Sequence, residues 1–118
     1  ITPYESVTQC TRNGYELNNP PVGIMETFHN GTLPKMMRNC IISEENIILT
    51  ALKRAEDNDG YVLRLYECAG IDTKDVTVQL PFMHEEIRLN FSHNEIKTVK
   101  VFDDRRICET NILEDEIR

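Results

Sequence analysis

Two arms of alternating apolar and polar residues, separated by a short acidic turn, restrict the fold of this chain more than any other feature. The arms are residues 46–56 and 60–68, and the turn contains Asn58-Asp-Gly60. Alternation with a period of two is typical of a half-buried strand, and Asn, Asp and Gly tolerate the positive φ angles of a tight turn. The sequence therefore predicts an antiparallel β-hairpin. A helix over residues 47–55 is the competing structure, because that stretch also contains good helix formers.

Four more strand-like segments follow the hairpin at short intervals. They are residues 76–80, which Pro81 ends, and residues 87–91, 95–102 and 107–112. Closely spaced strands without a helical period are typical of two antiparallel sheets packed face to face. The predicted fold class is therefore all-β, a single-domain antiparallel β-sandwich.

The first third of the chain has a different composition. Prolines and turn-forming residues are frequent there and interrupt any long strand. We predict that residues 1–37 are irregular lead-in strands and loops that lie along the sandwich, and that residues 38–114 contain its main strands. The whole chain, residues 1–118, is then one domain. The charged C-terminal end, residues 114–118, is predicted to be a truncation or a linker rather than a working element.

The composition is that of an ordinary globular protein with an acidic surface. Of its 118 residues, 40% are hydrophobic and 28% are charged, and the net charge is −7. An acidic chain without clustered cations repels phosphate backbones, which argues against a nucleic-acid partner. No apolar run reaches the ~20 residues that span a bilayer, so no membrane partner is predicted. The four cysteines are far apart and lack zinc-site spacing; we expect reduced thiols, with three disulfide pairings as the alternative.

No motif for catalysis or metal binding occurs in the sequence. A glycosidase holds two carboxyl groups ~5–10 Å apart across a cleft, whereas the carboxylate pairs here fall in turns or at strand ends, where acids are normally solvated. His29, His84 and His93 have no metal-binding spacing, and there is no Gly-x-Ser-x-Gly elbow. We therefore assign no catalytic and no metal-binding residue. The absence of Trp weakens the case for a carbohydrate platform, which uses flat aromatic rings.

Five segments occur in an order that is known from one protein family. They are Met25–Pro34 (METFHNGTLP), Ile47–Asp57 (IILTALKRAED), Leu63–Glu67 (LRLYE), Glu95–Val99 (EIKTV) and Glu109–Glu114 (ETNILE). This order resembles the C-terminal β-sandwich region of glycoside hydrolase family 38 α-mannosidases, over residues 25–114. The second and third segments are its specific part. The first segment is similar to the bacterial cytoplasmic branch, which implies a cytoplasmic location.

The resemblance implies a larger parent enzyme. Family members are zinc-dependent retaining glycosidases of mannose metabolism that hydrolyse α-mannosides through a covalent glycosyl-aspartate. Their zinc ligands and nucleophile lie in an N-terminal catalytic domain, and none of those motifs occurs here. No catalytic residue or cofactor is therefore carried over to this chain, and zinc is expected only in the parent. The implied partner is the catalytic domain of the same polypeptide. The mannoside substrate binds that domain and not this one. The resemblance is also compatible with contacts between copies of the enzyme.

The charged side chains of the hairpin are the candidates for a functional surface. They are Lys53, Arg54, Glu56, Asp57, Asp59 and Arg64. We predict that they lie at a domain interface, because sandwich loops cluster where neighbouring domains dock; a turn that reaches the parent's cleft is the alternative. Cross-strand ion pairs that include Glu67 are expected, and the outer hairpin face is predicted to be an exposed apolar patch. Two other functions remain open, an autonomous carbohydrate-binding module and an interaction sandwich of another multidomain protein.

Overall fold

A computed structural model describes residues 6–117 of the chain. Its elements are the helix α1 (Val7–Asn18) and the strands β1 (Ile41–Ile42), β2 (Ile47–Arg54), β3 (Tyr61–Glu67), β4 (Thr73–Leu80), β5 (Glu85–Phe91), β6 (Ile96–Val101) and β7 (Ile107–Thr110). The strands form two antiparallel sheets, in the orders β1-β4-β5 and β2-β3-β6-β7. The predicted all-β sandwich is therefore confirmed, with one short helix in addition.

The predicted hairpin forms over β2 and β3. Asn58 and Gly60 have φ angles of 61° and 88°, and the Ala55 N–H donates to the Gly60 carbonyl at 3.1 Å. The competing helix does not form, because β3 pairs with the whole length of β2 and the core takes up its apolar side chains. A bulge between Leu49 and Ala51 shifts the register, so that Leu52 rather than Ala51 packs against the core.

The hydrophobic core lies between the two sheets. Its buried members are Ile47, Leu63, Leu65, Val76, Val78, Leu80, Ile87, Phe91, Val99 and Val101. Most of them recur at every second position of β3 to β6, which is the spacing that places side chains on one face of a strand. Burying each such side chain stabilises the fold by roughly 1.5–3 kcal/mol. This core fixes the positions of the turns that carry the charged residues.

The prediction of lead-in strands is wrong for residues 7–18, which form α1. The Ser6 hydroxyl accepts a hydrogen bond from the Gln9 N–H at 3.1 Å, and Ser-x-x-Gln is the spacing of a capping box. No residue of α1 is buried, and the Arg12 guanidinium donates to the Glu45 carbonyl at 2.6 Å. A local start signal thus decides the structure here. Among residues 6–117, no helix is long and apolar enough to cross a membrane.

The connecting segment, residues 20–39, joins α1 to the sandwich. It has no helix or strand, and each of its residues is exposed, with Met25 and Phe28 at 100% and 101%. Within residues 6–117, no backbone–backbone hydrogen bond holds residues 20–40. Most of the segment therefore does not pack along the sandwich as predicted, and only its end, at Met37 and Asn39, lies beside sandwich residues. The domain boundary at residue 37 stays a prediction.

The outer face of the four-stranded sheet is not the exposed apolar patch that the sequence predicts. Ile48 and Val62 are only 8% and 1% exposed. The C-terminal segment, residues 111–117, contacts this face: the Arg64 guanidinium lies 3.4 Å from the Ile112 carbonyl, and Glu114 pairs with Lys53. The predicted patch is wrong because the Ile48 and Val62 side chains are buried. The predicted C-terminal linker is wrong because Ile112 and Glu114 contact side chains of the hairpin.

The cysteines are all free thiols. Cys10 is exposed, Cys68 is buried, and Cys40 and Cys108 are half-buried. Burial raises the pKa of the Cys40 and Cys108 thiols above the ordinary value. These two side chains are therefore protonated at neutral pH and behave as small hydrophobic residues.

Candidate functional site

Two of the predicted functional residues, Lys53 and Glu56, form ion pairs within the chain. The Lys53 ammonium lies beside the hairpin turn. Its Nζ is 2.7 Å from Glu114 Oε1 and also pairs with Glu56. The Glu114 side chain is only 8% exposed, and its second oxygen accepts a hydrogen bond from the Glu56 N–H at 2.8 Å. The hydrogen bond between Lys53 and Glu114 holds the pKa of Glu114 below its ordinary value and the pKa of Lys53 above its ordinary value. The C-terminal segment is thereby clamped to the hairpin turn.

Arg54 joins the hairpin turn to the turn that follows β6. Its Nη1 and Nη2 lie 3.0 Å and 2.7 Å from the two carboxylate oxygens of Asp103, and Nη2 also donates to the Asn58 carbonyl at 2.6 Å. The planar guanidinium suits such a two-pronged pair, and it lies 5.1 Å from the centre of the Tyr61 ring. The hydrogen bond to Arg54 lowers the pKa of Asp103.

Asp57 supplies the counter-charge for a buried lysine. Lys100 of β6 is only 3% exposed, and its Nζ lies 2.6 Å from Asp57 Oδ2 and 4.5 Å from the centre of the Phe102 ring. A buried ammonium is strongly unfavourable without such a partner. Asp57 also accepts from the Asp59 N–H at 3.1 Å, and Asp59 accepts from the Asp103 N–H at 3.3 Å. The hydrogen bond to Lys100 lowers the pKa of Asp57.

Arg64 lies apart from the other predicted residues, on the outer face of β3. Its Nε is 3.4 Å from Thr98 Oγ1, and its Nη2 is 3.4 Å from the Ile112 carbonyl. The structure therefore brings Lys53, Arg54 and the three turn acids together at one end of the sandwich and leaves Arg64 beside the C-terminal segment. Their role at a domain interface or in a cleft stays a prediction, although each has a partner within the chain.

We expect Glu114→Ala to loosen the C-terminal segment without unfolding the sandwich. The variant removes the ion pair with Lys53 and the acceptor for the Glu56 N–H, a loss of about 1 kcal/mol. Hydrogen–deuterium exchange should become faster over residues 111–117 and stay unchanged in β3. Glu109→Ala is the matched control, since its exposed carboxylate binds Lys97 and not the hairpin. Unchanged exchange over residues 111–117 would show that the clamp does not hold this segment.

A groove of about 330 Å³ opens beside the hairpin end. Its lining residues are Met37, Asn39, Leu52, Lys53, Arg54, Tyr61 and Phe82. The Tyr61 and Phe82 rings pack edge to face, with their centres 5.0 Å apart, and Arg54 lies over Tyr61. A carbohydrate platform presents a free aromatic face, whereas these two rings are engaged with each other and with Arg54. The groove therefore does not favour a carbohydrate site.

The carboxylate of Glu67 is buried, although the sequence predicts it in cross-strand ion pairs on the surface. Glu67, at the end of β3, is 0% exposed. Its carboxylate accepts hydrogen bonds from Asn46 Nδ2 at 2.8 Å and from the N–H groups of Ala69 at 2.8 Å, Gly70 at 2.9 Å, Ile71 at 3.2 Å and Asn94 at 2.8 Å. The expected cross-strand ion pair is therefore wrong. Glu67 continues the period-two pattern of the buried Leu63 and Leu65, which places it on the core face of β3. This pattern is the sequence feature from which its burial could have been predicted.

The charge state of Glu67 follows from these donors. Burial on its own raises the pKa of the carboxyl group, but the hydrogen bonds from Asn46, Asn94 and the residues after β3 outweigh it and hold the pKa below the ordinary value. A buried carboxylate that accepts several N–H groups stays ionised in this way. Glu67 fixes the loop after β3 and the turn before β6 in one arrangement. Its burial leaves no room for a substrate, so the role is structural.

The described residues offer no ligand set for a metal ion. Among residues 6–117, no group of three or more His, Cys, Asp or Glu side chains is placed to hold one. His93 Nδ1 lies 3.0 Å from Asp72 Oδ1, with both side chains 69% exposed. His84 lies in a turn with a φ of 57°, and His29 lies in the connecting segment. These residues do not fit the zinc that the resemblance implies for the parent enzyme.

Fold and site together define the class of protein, a β-sandwich domain whose charged residues hold its own turns together. Residues 46–118 match the family described as glycosyl hydrolases family 38 C-terminal beta sandwich domain. The match covers more than half of the chain, and the chain belongs to this family. The predicted resemblance to this sandwich domain is thereby confirmed for residues 46–114, and its first segment, residues 25–34, lies outside the match. No curated protein and no solved structure matches the chain.

Proposed function

We propose that this chain is the non-catalytic C-terminal structural domain of a family 38 α-mannosidase-like enzyme. The observation that carries the proposal is the family match over residues 46–118, which comprise both arms of the hairpin and β4 to β7. In this proposal the parent is a retaining, zinc-dependent glycosidase of mannose metabolism in the cytoplasm. Zinc and the nucleophile belong to its N-terminal catalytic domain, and the sandwich supports that domain.

The exposed apolar side chains of the connecting segment support the proposal that this domain packs against another part of the parent enzyme. These large side chains are between 63% and 101% exposed. They are Val22, Ile24, Met25, Phe28, Leu33, Met36 and Met37. Clustered exposed apolar side chains mark surfaces that other protein covers. Because this segment precedes the matched residues, it is available to pack against the rest of the parent polypeptide.

The acidic hairpin turn contributes to that role through stability rather than chemistry. Asp57 neutralises Lys100, and Arg54 pairs with Asp103, so these contacts restrain the turn end of the sandwich. A restrained surface suits a neighbouring domain, since less ordering is needed when the two surfaces meet. The predicted interface role of the turn residues is proposed on this ground.

The complete polypeptide that contains this chain is expected to hydrolyse an aryl α-mannoside. The rate should fall to background with a chelator and return on addition of zinc, because the proposed chemistry depends on the metal. An aryl α-glucoside is the control substrate and should react far more slowly. A polypeptide without a catalytic domain before the sandwich, or one that prefers the glucoside, would refute the proposal.

A further inference from the structure

Two Asn-Gly pairs lie within residues 6–117, and the structure places them in different environments. Asn13-Gly14 lies inside α1, and Asn30-Gly31 lies in the connecting segment. We propose that Asn30 is a site of spontaneous deamidation to aspartate and isoaspartate, whereas Asn13 is protected by its helix. This inference goes beyond the proposed function and does not rest on it.

The reaction needs water and no other reagent. The backbone nitrogen of Gly31 attacks Cγ of Asn30, a new C–N bond forms, and the Gly31 proton passes to solvent. The side-chain nitrogen takes up a proton and leaves as ammonia, which gives a five-membered succinimide. Water then adds to one of the two ring carbonyls and opens the ring to aspartate or isoaspartate. Each event replaces a neutral amide by a carboxylate, and the isoaspartate product also lengthens the backbone.

The surroundings of Asn30 permit this ring closure. The backbone must rotate until Cγ of Asn30 reaches the nitrogen of Gly31, and no backbone–backbone hydrogen bond within the described range holds residues 20–40 in place. In that range the Asn30 carbonyl accepts only an exposed side-chain contact, from Nδ1 of the adjacent His29 at 3.2 Å. Gly31 presents no side chain that would hinder the approach, and no atom lies within 4 Å of the position that a Cβ would occupy there. Asn30 is exposed, so water reaches the succinimide.

The surroundings of Asn13 oppose the same reaction. In α1 the helical backbone fixes ψ near −42°, away from the ring-closing rotation, and the Gly14 N–H is directed along the helix axis. The Asn13 carbonyl oxygen Oδ1 also accepts a hydrogen bond from Gln9 Nε2 at 2.8 Å. The helix has to open before the ring can close, and each ~1.4 kcal/mol of opening free energy slows the reaction about tenfold.

Peptide mapping of the complete 118-residue chain tests the proposal. After incubation at mildly alkaline pH, cleavage after Glu separates residues 6–16 from residues 27–44, and each contains one of the two sites. Tandem mass spectrometry should locate a gain of one dalton at Asn30, roughly tenfold or more faster than at Asn13. Isoaspartyl methyltransferase should label the second peptide. Asn30→Gln should abolish the gain, and Gly31→Ala, whose Cβ meets no atom within 4 Å, should slow it without changing the melting temperature.

The unfolded chain is the control for the role of structure. In concentrated urea the two sites should convert at similar rates, because both then have the same neighbour and no helix. Equal rates in the native chain would overturn the proposal, since the fold would then make no difference. Conversion of Asn30 in urea but not in the native chain would also overturn it, because the connecting segment would then be held against ring closure.

Discussion

Gly60→Ala is expected to lower the free energy of unfolding by at least about 3 kcal/mol. A Cβ at this position would lie 2.0 Å from the Val101 carbonyl oxygen and 2.6 Å from Phe102 Cα. Both are backbone atoms at the end of β6, so no flexible side chain can move aside. The φ of Gly60, 88°, adds strain for any other residue. Urea unfolding followed by circular dichroism measures the loss, and failure of the variant to fold would agree with it.

Gly70→Ala is the matched control for this prediction. Its φ is also positive, 75°, but the nearest atoms to a new Cβ are in the Asn94 side chain at 3.7 Å, an ordinary contact distance. Only the backbone strain of roughly 1–2 kcal/mol is then expected. Equal losses for the two variants would contradict the claim that the closeness of the hairpin turn to the end of β6 makes Gly60 indispensable.

Glu67→Gln is expected to destabilise the sandwich by about 3 kcal/mol, although the two side chains have nearly the same shape. The two carboxylate oxygens accept two and three hydrogen bonds, so either orientation of the Gln amide turns an NH₂ group towards at least two donors. Thermal unfolding should show a melting temperature about 10 °C lower. Glu86→Gln is the control: Glu86 is exposed, and the shift should stay within about 0.5 kcal/mol.

The lowered pKa of Glu67 sets the direction in which its contribution to stability changes with pH. The pKa of Glu67 is lower in the folded chain than its ordinary value, so its contribution is complete above the unfolded pKa of roughly 4.3 and is lost as the pH falls through the folded value. The gap in stability between the wild-type chain and Glu67→Gln should therefore shrink below about pH 4. A gap that stays constant down to pH 2 would mean that the ionised carboxylate is not what the five donors stabilise.

The strands were predictable because two local signals agreed. Period-two alternation and an Asn-Asp-Gly turn fixed the hairpin, and the same alternation marked β4 to β7 within three residues at each end. The helix α1 was missed although Ser6 and Gln9 have capping-box spacing and Val7, Cys10 and Leu17 lie on one side of the helix. Its sequence is mostly polar and none of its residues is buried, so the few apolar positions do not stand out as a core-facing stripe. The bulge after Leu49 was not readable from sequence, since it depends on the partner strand.

The sequence shows where the charged residues of the hairpin cluster, but it does not show which residues they pair with. Lys53, Arg54 and the turn acids are neighbours in the sequence, and the structure brings them together at one end of the sandwich. Their partners, however, come from distant parts of the chain: Arg54 binds Asp103, which is 49 residues away. Lys100 has the pattern of an exposed strand lysine, and only the arrival of Asp57 and Phe102 buries it. Such long-range pairs leave no mark in local composition.

If this domain supports a glycosidase and performs no chemistry itself, it should not hydrolyse a mannoside on its own. The most direct test is the rate of aryl α-mannoside hydrolysis by the isolated, folded 118-residue chain, with and without added zinc. Circular dichroism and a cooperative melting transition would first establish that the chain is folded. We predict a rate equal to the buffer background in both conditions, beside an active complete polypeptide in the same assay. Turnover by the isolated chain that a chelator abolishes would contradict the account.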